Sequence, residues 1–166
     1  MTTTIKDFVQ FLRRVAEAAG LSALECDETG LVSLRVEDAY NVHLQFVAAT
    51  GKILCFVEVA KLSAGAQKET VYRELLAGSL FGKDTAGGFF ALEPDTETVI
   101  YNYLFDFDPA QTDPAAFAET LEKILSLVDI WAQRIGEAAA AASPPPANGQ
   151  DFAESGHRAF DGFMRV

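Results

Sequence analysis

The stretch LLAGSLFGKDTAGGFF, residues 75–90, sets Gly82, Gly87 and Gly88 around Lys83. A phosphate-binding loop needs G-x-x-x-x-G-K-[ST] between a strand and a helix, so that backbone amides and the helix dipole converge on an anion. Here Ala77 stands five residues before Gly82, Asp84 follows Lys83, and the order is helix then strand. A helix stop at Gly82 and a turn at Gly87-Gly88 account for these glycines better. His43 falls on the polar side of an alternating run with Asn41 and Gln45, the position of a solvated histidine; the second histidine, His157, is remote. Cys26 and Cys55 have no CxxC or CxxH neighbour and read as reduced thiols, Cys55 inside a strand. Asp106 with Asp108, and Glu93 with Asp95 and Glu97, lack calcium-loop spacing and read as turn and surface acids. No serine or cysteine has an evident base partner. No catalytic residue, metal site or cofactor is expected, and the chain does not read as an enzyme.

The elements that would position these residues follow from periodicity. Residues 3–19 carry Ile5, Phe8, Val9, Leu12, Val15, Ala16 and Ala19 on one helical stripe, with Phe11 at its edge, where half exposure is expected. Three strand-like runs start at Leu31, Tyr40 and Lys52. The first two alternate apolar and polar, as in a meander with one covered and one open face. Short connections at 38–39 and 49–51 suit hairpins. The third run is apolar on both faces: Leu54 and Phe56 alternate with Ile53, Cys55 and Val57.

A second helix is expected over 66–81. Two further strands follow, GFFALE and TVIYNYLFDF, joined by a turn at 93–97 with Pro94 in its second position. The last helix opens with Asp113 as cap and Pro114 at the first position. Its stripe is Phe117, Leu121, Ile124, Val128, Trp131 and Ile135. The element order is α-β-β-β-α-β-β-α.

Of the 166 residues, 49% are hydrophobic and 22% charged, enough for one domain with a substantial core. The N-terminus has no uninterrupted apolar region, and no stretch has the length needed to span a bilayer, so a cytoplasmic protein without membrane insertion is expected. A formal net charge of -11 repels nucleic acid and anionic membrane surfaces, while a basic or amphipathic polypeptide remains a compatible partner. The domain is expected over 1–137, followed by an Ala/Pro-rich linker at 138–150 and an apolar tail segment at 151–166. In that tail Phe152, Phe160, Phe163 and Met164 must dock on something or stay exposed; packing on their own domain and competing internally for a partner groove are two roles they would fit.

With this order established, LLAGSLFGKDTAGGFFALEPDTETVIYNY resembles the signature region of class I type III secretion chaperones, the Tir-chaperone family. Leu75, Leu76, Leu80, Phe81, Gly82, Thr85, Gly87, Gly88, Leu92, Thr96 and Val99 match its leucine pair, Leu-Phe, Thr-Gly-Gly turn and following strands. LEKILSLVDIWAQRI is similar to the family's last helix, with Trp131 in the place of its usual tryptophan. Ser79 replaces the usual asparagine, and Ala86 interrupts Thr-Gly-Gly.

The resemblance, over about residues 3–136, implies an α+β homodimer with a mostly antiparallel sheet packed with helices. It implies a chaperone that performs no chemistry, binds the N-terminal segment of a secreted effector in extended form, keeps it secretion-competent and helps deliver it to the secretion ATPase. By that analogy Val71, Leu75, Leu76 and Phe90 belong to the dimer interface. The first helix and first three strands would receive the effector through Phe8, Phe11, Leu12, His43, Gln45, Leu54 and Phe56. The alternative is a protein-binding module of the same fold unrelated to secretion.

Overall fold

Thr4 caps the first helix, α1 (Ile5–Ala19), with a reciprocal box. Its hydroxyl accepts from the Asp7 amide at 3.4 Å, while the Asp7 carboxylate accepts from the Thr4 amide at 2.9 Å. The Thr4 hydroxyl also donates to the Asp7 carboxylate at 2.7 Å, and this bond, followed by that from the Thr4 amide, favours the ionised form and holds the Asp7 carboxyl below its ordinary pKa. Gly20, at φ 64°, closes the helix in the left-handed conformation. The computed structural model describes residues 3–37 and 39–141. The tail positions Phe152, Phe160, Phe163 and Met164 lie outside the described residues.

Five strands follow the expected order: β1 (Leu31–Val36), β2 (Tyr40–Val47), β3 (Lys52–Lys61), β4 (Phe89–Glu93) and β5 (Thr98–Phe105). Helix α2 (Lys68–Ser79) and a 3-10 turn (Leu80–Gly82) separate β3 from β4, and α3 (Pro114–Ala140) follows β5. The sheet is antiparallel throughout, in the order β1-β2-β3-β5-β4, so β1 and β4 are its edges. A register shift between Glu58 and Ala60 marks a bulge in β3.

One face of this sheet is closed by helices. Val42, Leu44 and Phe46 of β2, Ile53, Cys55 and Val57 of β3, and Tyr101 and Phe105 of β5 form the main core with α1 and α3. Phenylalanines form a cluster within it. Phe8 stacks on Phe46 at 5.7 Å, Phe11 meets Phe117 edge-on at 5.1 Å, and Phe107 packs against Phe8, Phe11 and Phe46. Burial pushes the Cys55 thiol up to about 12, which leaves it an inert core side chain. A second cluster joins Val71 and Leu75 of α2 to Val99, Trp131, Ile135 and Ala138.

Three expectations need correcting here. Phe11 is not half exposed at the edge of a stripe: Phe8, Phe11 and Leu12 are all fully buried, because the sheet, α3 and the 106–113 loop together enclose that side of α1. They offer no surface to a partner. Val71 is likewise a core residue with no exposed area, since it points from α2 into the second cluster. Finally, α3 does not yield to a linker at 138 but runs to Ala140. Ala138 continues the buried row of Trp131 and Ile135, and the Ala139 carbonyl accepts from the Gln67 amide at 3.0 Å.

Candidate functional site

The glycine-rich loop is not an anion cradle. Four of its amides are engaged by the chain itself: Lys83 donates to Leu80, Asp84 to Gly78, Thr85 to Gly82 and Gly88 to Thr85. Side chains from the core pin it from behind. The Trp131 indole donates to the Asp84 carbonyl at 2.9 Å, and the Tyr101 hydroxyl to the Thr85 carbonyl at 2.7 Å. Burial, helped by the neighbouring Tyr103 and Cys55, pushes the Tyr101 phenol up to about 12, so it remains a donor. Arg134 lies over the Trp131 ring at 4.1 Å and reaches both Glu74 and Asp84.

Two glycines are required by close approach. A Cβ on Gly78 would overlap the Trp131 ring, and one on Gly88 would overlap the Tyr101 ring and the Asn102 carbonyl. The sequence motif is therefore a rigid joint that carries the chain from α2 into the edge strand β4.

That joint presents an apolar face. Leu76 is 74% exposed, and Leu80 and Phe81 continue the exposed run into the 3-10 turn. Phe81 adopts φ 57°, ψ 19°, a left-handed conformation that costs a residue with a Cβ about 1–2 kcal/mol. Beside this run, Tyr72, Leu75, Leu76, Ser79, Phe90 and Leu92 line an open groove of about 380 Å³ between α2 and β4. Phe90 forms its floor, half-buried against Trp131 at 4.6 Å and Tyr101 at 5.5 Å. Of the residues expected at a dimer face, Leu75, Leu76 and Phe90 thus meet at one groove, while Val71 does not.

The second surface is the sheet face away from the helices. Strand register sets Ser33, His43, Phe56, Asn102 and Phe89 in one row across all five strands, and Leu31, Gln45, Leu54 and Leu104 in the next. His43 stacks on Phe56 with ring centroids 4.7 Å apart and an interplanar angle of 16°. Its Nδ1 lies 2.8 Å from the Ser33 hydroxyl. Among the described residues no carboxylate bonds the imidazole to orient it, and the pair lies on an open sheet rather than in a cleft. It is a polar contact and not the start of a triad. Gln45 donates to the Thr29 and Phe46 carbonyls. The four strand residues expected to receive a partner, His43, Gln45, Leu54 and Phe56, therefore sit together, each partly exposed, on a face that ends at the edge strand β1.

Sequence reasoning missed several members of these surfaces. Phe89 and Leu104 extend the open face, and Leu80, Phe81 and Leu92 extend the groove side. For Phe89 and Leu104 the signal was available in the alternation of β4 and β5. For Phe81 none was, because an exposed apolar residue in a tight turn has no periodic partner.

No curated protein matched the sequence. Among solved structures, the chain is similar to one in the crystal structure of the ExsC–ExsE complex, with TM-score 0.66 and 21% identity over 84% of this chain and 99% of that one. It is similar to a chain in the complex of the Yersinia pestis type III secretion chaperone SycH with a stable fragment of YscM2, with TM-score 0.58 and 17% identity over 75% and 98% of the two chains. A third likeness is to the HopA1–SchA chaperone–effector complex, with TM-score 0.58 and 12% identity over 80% and 95%. At these identities the likenesses establish the α+β fold. The family follows from the sequence itself: a model of the Tir chaperone protein (CesT) family matches residues 10–132, from α1 to α3, and the chain belongs to that family.

Proposed function

We propose that this protein is a class I type III secretion chaperone that acts as a homodimer and holds the N-terminal segment of a secreted effector in extended form. The family is one of effector-binding chaperones rather than enzymes. The observation that carries the reading is the open sheet face. Its apolar groups Leu54, Phe56 and Leu104 stand at the sheet surface beside His43 and Gln45, and β1 next to them is an edge strand of the sheet. An extended segment gains backbone hydrogen bonds at such an edge and sets alternate side chains against the face, with little demand on its sequence. The strands are already ordered, so the ordering cost of binding falls mainly on the client.

The α2–β4 groove, with Leu75, Leu76 and Phe90, is the dimer face in this reading. Sheet faces of two copies would then be available to one client, which the dimer would hand to the secretion ATPase in the cytoplasm. Among the described residues no helix is long and apolar enough to cross a membrane.

The test is capture from the native host, with the chain as bait and the recovered complex weighed by native mass spectrometry. Two copies with one larger protein, bound through that protein's N-terminal segment, are expected. A bound polypeptide that is not a secretion substrate would move the assignment to a peptide-binding module of the same fold.

A further inference from the structure

We propose that Phe81 is the anchor of the homodimer, its ring seated in the groove between α2 and β4 of a second copy of this chain. The inference rests on the homodimer reading above and names the residue on which that association depends. Phe81 combines two unfavourable features. It is 95% exposed, and its backbone is in the left-handed region at φ 57°. For a bulky side chain that conformation is an outlier, and glycine or asparagine would occupy it with less strain. A large apolar group held strained in water is the expected form of a contact completed by another molecule.

The surroundings make Phe81 a rigid knob. Gly82 beside it is also left-handed, at φ 64°, and the loop that follows is tied to the core through Trp131–Asp84 and Tyr101–Thr85. A ring displayed on such a backbone loses little further freedom on docking. The exposed run Leu76, Leu80 and Phe81 is continuous with the groove, which Leu76 itself lines. A knob and a groove on one face of one chain meet the condition for a two-fold contact, in which each copy gives its knob to the other's groove. Each copy carries a formal charge of -11, so the copies repel and their association has to come from apolar burial.

The full-length chain and its Phe81→Gly and Phe81→Asn variants would be compared by sedimentation velocity over a dilution series, with thermal melting of the dilute protein. Both variants suit the left-handed backbone, so each separates loss of the ring from loss of the turn. The expected result is a wild-type dimer whose dissociation constant rises about 10-fold or more in both variants, while the dilute monomer melts no lower than wild type. Dimerisation retained at full strength in either folded variant overturns the anchor and leaves the homodimer standing. A wild-type monomer throughout the series overturns the homodimer reading, and the anchor with it.

Discussion

The two faces of the sheet are built by alternate residues of the same strands, from the same side-chain types, and they do different work. Toward the helices, Phe46, Ile53, Cys55, Val57 and Tyr101 are sealed beneath α1 and α3. Toward the other side, Phe56 and Leu54 stay half-exposed and Leu104 is 44% exposed. A phenylalanine in the first set contributes to stability by leaving water when the chain folds. One in the second set leaves water only in part on folding, and in the proposed reading the rest of that gain comes on binding a client. Residue type thus says little about role until the face is known, and the phenylalanines of α1, sealed against this sheet, belong wholly to the first set.

The comparison breaks most visibly at its closed side. Phe11→Ala is expected to destabilise the fold by about 3–5 kcal/mol, since it empties a fully enclosed ring site between Phe107 and Phe117. Urea titration measures this, and a loss below about 1 kcal/mol would place Phe11 back at a surface. Phe56→Ala is the matching change on the open side. It should weaken client binding by about 2 kcal/mol as an aromatic anchor of that face, with a stability loss smaller than that of Phe11→Ala. Equal stability losses in the two variants would erase the distinction between the faces.

Removing residues 143–166 sharpens the open side further. If Phe152, Phe160, Phe163 and Met164 compete for the client surface, the shortened chain binds client several-fold more tightly, as titration calorimetry would read. Unchanged affinity removes the competitor role.

The smallest effect concerns the cap that seats α1 on the closed face. Asp7 has a lowered folded pKa, so the unfolded chain binds its proton first as pH falls. The cap's contribution is therefore present in full above the ordinary carboxylate pKa and is lost as pH falls through the lower folded value. Asp7→Asn should lower the urea midpoint at pH 7, and the gap from wild type should narrow toward pH 3. A gap independent of pH would dissociate the cap from the charge.

Element order was legible in the sequence, because periods of 3.6 and 2 are written directly in side-chain polarity. The runs from Leu31, Tyr40 and Lys52, the stop at Gly82 and the cap at Asp113 all appear as expected, to within a few residues. The signature around Leu75–Val99 was also legible, since its glycines answer to local backbone geometry and to close contact with Trp131 and Tyr101. Which apolar residues remain outside was not. Phe11 and Phe56 both sit in strongly patterned segments, and only the packing of α1 against Phe46, Phe107 and Phe117 seals the one, while among the described residues no helix covers the other. Periodicity fixes which side of an element a residue occupies. Exposure depends on what distant parts of the chain bring to that side, and that is decided only when the sheet, the loop at 106–113 and α3 close together.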